Sequence, residues 1–265
     1  MSDAETESRG LLSSLIDGVV GVFDSIGTQV LLTFQSLVWL IRPPYRFSQL
    51  FAAMEFIGVQ SIFIVSLTGV FSGMVLALQT THSLRQFGAE GTVGYIVAVS
   101  LTREISPVFA ALMVTARAGS GMAATLGNMR VTEQIDAITT MAISPVQYLL
   151  SPRLLAATVM VPLLVVLYTC VGMAGAYLVS VKGLSVDPGI WISNIENRLV
   201  PSDFWMGIVK GSVFGFLIST IACRQGYFAS GGARGVGEAT TRAVVQSAVA
   251  ILIANYLITS WMTDI

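Results

Sequence analysis

The sequence predicts an all-α integral membrane protein: an N-terminal interfacial helix followed by about five transmembrane helices, N-terminus in and C-terminus out. Three observations predict it. Of 265 residues, 54% are hydrophobic and only 11% are charged, whereas a soluble domain carries about 25% charged residues. The mean hydropathy is +0.77. Several stretches are also long and apolar enough to cross a bilayer, which takes about 20 residues of helix. Lipid must cover much of such a surface. The net charge of −1 gives no basic field for nucleic acid.

Residues 1–46 read as a cytoplasmic tail and an amphipathic interfacial helix. Met1–Gly10 is polar and mildly acidic, unlike the basic start of a cleaved signal peptide. Leu11–Ile41 sets Asp17 and Asp24 on an apolar background and ends at Arg42-Pro43-Pro44, a pattern that suits a helix lying along the membrane. Ser25–Ile41 carries no charge and leaves a sixth span open.

Residues 47–265 read as the membrane domain, with spans near 56–81, 91–116, 154–181, 204–223 and 243–263. The first and third carry no charge, and the fourth is broken only by Lys210. The second contains Arg103 and Glu104, two adjacent charges that ordinarily argue against a span. Between the second and third spans, residues 117–153 read as a loop. It opens on small residues (Ala118, Gly119, Ser120, Gly121) and then runs MRVTEQIDAI. Thr132 is expected to cap a short helix there, with Glu133 and Asp136 near its positive end. Ser151-Pro152 marks the start of the third span, proline being favoured at a first helical position. The connection Lys182–Asp203 is expected to hold a short surface helix.

Orientation follows the Lys/Arg bias of short loops. With the N-terminus inside, Arg9, Arg42, Arg46, Arg117, Arg130, Arg153, Arg224, Arg234 and Arg242 lie on the cytoplasmic side. Arg85, Lys182 and Arg198 lie on the other, and Arg103 and Lys210 within spans.

Ionisable residues within a span cost at least ~2.5–3.5 kcal/mol each on insertion scales and are functional candidates by default. Arg103 and Glu104 are sequence neighbours, so they do not face each other on a helix and each needs a partner elsewhere. Lys210 is the natural partner for Glu104. Pro107 clashes with the carbonyl four residues back, which belongs to Arg103, so the helix is expected to kink or open at the charged pair. A structural ion pair that locks helix packing is the plainer reading of the same residues. Gly69-x-x-x-Gly73 and Gly211-x-x-x-Gly215 read as close helix contacts.

Other chemistry is excluded residue by residue. Cys170 and Cys223 sit in apolar runs and form no disulfide framework. One histidine, His82, builds no metal site, and no cofactor is expected. The stretches Gly119–Gly127 and Gly231–Arg242 lack the context or the Gly-Lys-Ser/Thr ending of a nucleotide loop. Any ATP hydrolysis therefore belongs to another chain, and the protein does not read as an enzyme.

Two blocks carry a family resemblance. TREISPVFAALMVTARAGSGMAATLGNMRVTEQIDAITTMAISPVQYLLSPRLLA (Thr102–Ala156) and YFASGGARGVGEATTRAVV (Tyr227–Val245) resemble the signature blocks of the MlaE/YrbE permeases, membrane subunits of ABC transporters that work with MCE-domain proteins. The likeness runs from about Arg46 onward. It implies a homodimer that moves phospholipid or a related lipid between inner and outer membranes and so maintains outer-membrane lipid asymmetry. It also implies a separate ABC ATPase, an MCE-domain protein on the outer face, and a place in a bacterial inner membrane. A small STAS-type regulatory protein is left open. The helix matching Met129, Arg130, Val131, Thr132, Glu133, Gln134, Ile135, Asp136 and on to Ile138 is the family's coupling helix for the ATPase. Arg103, Glu104, Asp203 and Lys210 match positions in or near the lipid-transport core. Leu76, Leu84 and Phe87 follow the first span and are expected to line apolar walls of the lipid path. The alternative is a self-contained ion- or proton-coupled carrier with Glu104 as its relay.

Overall fold

The computed structural model describes residues 27–39 and 47–263, and every regular element among them is helical. The interfacial helix expected over Leu11–Ile41 falls partly outside the described residues. Its described part, α1, is a helix over 27–39. There Val30, Leu31, Phe34 and Leu37 are exposed while Leu32 and Ser36 are buried.

Five continuous helical stretches follow, each long and apolar enough to cross a membrane. The first joins α2 (Phe47–Ile57) to α3 (Ile62–Arg85) through a 3-10 turn. The second strings α4 (Val93–Ser100), α5 (Ser106–Val114) and α6 (Ser120–Val131) together, with π-helical turns at Leu101–Ile105 and Thr115–Gly119. A short helix α7 (Gln134–Thr140) precedes the third stretch. That stretch enters through a π turn at Val146–Leu150, becomes α8 (Ser151–Tyr177), and leaves through another at Leu178–Gly183. Helix α9 (Pro188–Arg198) is the surface helix expected in the next connection. It is capped by Asp187, whose carboxylate accepts the N–H of Ile190 at 2.9 Å. Helices α10 (Pro201–Tyr227) and α11 (Gly232–Thr263) complete the bundle.

Helix α8 lies between α3 and α10, and α10 in turn packs on α6 and α11. Close approach depends on glycine where backbones nearly touch. A Cβ on Gly73 would fall 2.0 Å from the Gly172 carbonyl oxygen of α8, and one on Gly215 2.4 Å from that of Ala157. The small-x-x-x-small pairs therefore act in packing. The main core centres on Ile57, Leu101, Met122, Tyr168, Phe214 and Ile218. A second cluster at the 132–145 end joins Leu32 of α1 to Leu126, Ile135, Val146 and Leu150. Helix α1 is tied there by Ser151, whose hydroxyl donates to the Ser36 carbonyl at 3.0 Å.

The fourth span is the most enclosed and the fifth the least: 61% against 17% of their most apolar windows is buried. Val245, Val249, Leu252 and Tyr256 form an exposed stripe down α11. Their spacing of three and four residues places them on one helical face.

Two sequence expectations change. The stretch 117–153 is mostly helix, because α6 carries the second span on to Val131 before a turn. Arg117 does not end that span. Its guanidinium donates to the Phe56 carbonyl, to Gln60 and to Ser61 Oγ (3.1 Å), and lies 4.9 Å from the Phe56 ring centroid. The partly buried charge thus ties down the break between α2 and α3. Thr132 does not cap α7 either. Its hydroxyl bonds back to the Asn128 carbonyl at 2.8 Å, and the chain turns at Glu133 in the left-handed region (φ 59°). A threonine hydroxyl bonds to the preceding turn readily, and here that turn is α6.

Candidate functional site: a charged cluster within the spans

The cluster starts from Pro107. Proline has no N–H, so the Arg103 carbonyl loses its helical donor. The helix opens into the π turn Leu101–Ile105 at that point, and π turns are often found at functional sites. Lys210 of α10 restores what is lost. Its ammonium donates to the Arg103 carbonyl at 2.8 Å, to Glu104 Oε1 at 2.8 Å and to Thr259 Oγ1 of α11 at 2.8 Å. The Lys210 side chain has no exposed surface.

Glu104 is held from three sides. Besides Lys210, it accepts from Thr259 at 3.2 Å on Oε1 and from Asn255 Nδ2 at 3.0 Å on Oε2. Arg103, about 100° round the helix, reaches a different partner. Its Nε lies 2.8 Å from Asp203 Oδ1, an ion pair not aligned as a hydrogen bond. Asp203 sits in the first turn of α10, and its other oxygen accepts the Val200 N–H at 3.1 Å. An acidic side chain in that turn also suits the positive end of the helix. The cluster thus holds two positive and two negative side chains. Asp203 and Lys210 are enclosed, whereas Arg103 and Glu104 keep 41% and 39% of their side chains exposed.

The structure therefore brings together Arg103, Glu104, Asp203, Lys210 and Pro107. It does not bring Leu76, Leu84 or Phe87 to them. Leu76 and Leu84 pack against the main core, and Phe87 stands 80% exposed in the turn after α3. Of the segment 129–136, Met129, Arg130 and Val131 end α6, Thr132 and Glu133 turn the chain, and Gln134, Ile135 and Asp136 open α7. Arg130 pairs with Asp136 at 2.6 Å across that turn. Ile135 is buried as its anchor.

Sequence reading missed Asn255 and Thr259. The available signal was a pair of hydrogen-bonding side chains four residues apart in an apolar span, on one helix face, where such groups bond across helices. Among the described residues no group of His, Cys, Asp and Glu could hold a metal ion.

Fold and cluster together define a polytopic helical membrane protein with a charge-balanced polar centre. The profile described as Permease MlaE matches residues 50–261. A probable ABC transporter permease protein of Rickettsia felis is 44% identical over 235 residues, covering 89% of this chain and 91% of that one. The intermembrane phospholipid transport system permease protein MlaE of Haemophilus influenzae is 34% identical over 252 residues, covering 95% and 97%. The chloroplastic protein Trigalactosyldiacylglycerol 1 of Arabidopsis thaliana is 37% identical over 210 residues, covering 78% and 59%. The chain belongs to the MlaE permease family. It is a multi-pass membrane protein with the transport role of an ABC permease.

Proposed function

We propose that the protein is the membrane subunit that moves phospholipid between the inner and outer membranes of a bacterium, as a homodimer in the inner membrane, and so maintains outer-membrane lipid asymmetry. One observation carries this reading: within the spans of a phospholipid-permease relative, Arg103 and Glu104 remain about two-fifths exposed while Asp203 and Lys210 anchor them from behind. A lipid couples a charged head to apolar tails, and a half-open charge cluster among apolar helices suits that combination. ATP hydrolysis falls to a separate ABC ATPase docked on the α6–α7 turn. An MCE-domain protein receives or delivers lipid at the α9 end, and a STAS-type protein is a candidate regulator.

The test is reconstitution of the purified complex in liposomes with a fluorescent phospholipid. Transfer that requires both ATP and the partner ATPase is the expected result. Transfer by this chain alone, driven by an ion gradient, overturns the reading and restores the carrier with Glu104 as relay.

A further inference from the structure

At the 132–145 end, a cavity of about 370 Å³ opens between α2, α6 and the start of α8. That volume lies in the usual range for small-molecule sites, ~300–1,000 Å³. Its walls are mainly apolar, with Ala52, Ala53 and Phe56 on one side and Met122 and Leu149 on the other. The Phe56 wall is fixed in place, since Arg117 holds both its carbonyl and its ring.

The polar lining is sparse and one-signed. Arg153 lines the cavity, and its Nη1 is buried with no hydrogen-bond partner among the described residues. Among the described residues no acidic side chain lines the space; Gln49, Thr125 and Tyr148 are the neutral polar groups there. An unpaired buried guanidinium donor is costly, and its planar fork matches phosphate. Ala52 of α2, in the cavity wall, is exposed, so an occupant can enter from the apolar surface that lipid covers.

We propose that this cavity is a second lipid site, holding one acyl chain of a glycerophospholipid with its phosphate on Arg153. It is separate from the charged cluster. Leu150 and Leu154, which flank Arg153, line a small gap together with Cys223, and Cys223 is thirteen residues beyond Lys210 on α10, about 20 Å at 1.5 Å per residue. The site faces α6 just before the α6–α7 turn, so its occupant braces that turn against α2 and α8.

The protein is placed in nanodiscs with a phosphatidylglycerol carrying a photoreactive acyl chain, and labelled peptides are mapped. A fatty acid with the same photoreactive chain is run in parallel. The expected result is labelling by the phospholipid within Gln49–Ile57 or Met122–Met129. Ala52→Phe, which fills the mouth from an exposed position, should abolish it, and Arg153→Gln should lower it about tenfold, the loss of roughly one charge-assisted bond. Glu104→Gln should leave it unchanged, which separates this site from the transport reading. Labelling confined to the exposed faces of α3 and α11, labelling by the fatty acid alone, or equal labelling of wild type and Ala52→Phe overturns the proposal.

Discussion

Lys210 is the residue on which the cluster turns, because three helical stretches meet on one ammonium group. Removing one partner of an enclosed ion pair typically costs about 3–5 kcal/mol, whereas replacing both by apolar groups of similar shape is often near neutral. Lys210→Met should therefore lower the stability of the purified protein, by less than that amount because Glu104 is 39% exposed. It strands the Arg103 carbonyl as well as Glu104. Adding Glu104→Gln should recover part of the loss, with a coupling of about 0.5–3 kcal/mol in a double-mutant cycle read by thermal unfolding. Strictly additive losses would show that the two side chains do not depend on each other. The pairing was legible from sequence because charges are so rare within the spans that few partners exist. Asn255 and Thr259 were not, since a single polar residue in an apolar helix is common and only the fold reveals which neighbour it meets.

At the scale of elements, the α6–α7 turn is the feature most open to test. Glu133 holds a left-handed backbone, which costs a non-glycine residue roughly 1–2 kcal/mol, and Asp136 is pinned by Arg130. Glu133→Lys or Asp136→Lys should weaken co-purification of the ATPase while leaving the protein inserted and monodisperse. Undiminished recovery of the ATPase with both variants would move the contact elsewhere. Hydropathy made the helical spans readable, but their ends were not. Arg117 had the look of a terminus, and only the break after α2, whose Phe56 carbonyl it meets, explains why the helix runs on past it. The same holds for Thr132, whose hydroxyl had two turns to choose from. Periodicity cannot say which of them is in reach.

For the molecule as a whole, the order of the candidate spans puts the α6–α7 turn and α9 at opposite ends, and the arginine bias predicts that the former faces the cytoplasm. Met141 is exposed beside α7, and Ser193 lies exposed on α9. With Cys170 and Cys223 replaced by alanine, Ser193→Cys should react with a membrane-impermeant maleimide in spheroplasts. Met141→Cys should react only after lysis, and the reverse pattern would invert the topology. The family resemblance was legible across nearly the whole membrane domain because its blocks lie in unusual sequence, rich in glycine and charge at span ends. The apolar residues picked for the lipid path were not so constrained. Leu76 and Leu84 are partly buried against the main core, and any leucine on a span looks alike until its neighbours are known.

The three bonds of Lys210 settle what it can still offer. An ammonium group has three hydrogens, and each already points at an oxygen. Its positive charge is spent on holding the bundle closed, so it is a rivet and not a hook. A guanidinium carries five hydrogens, and Arg103 meets Asp203 through its Nε side. An acidic group arriving from the open side of the bundle finds its first handhold on the arginine. It can win the lysine only by pulling helices apart.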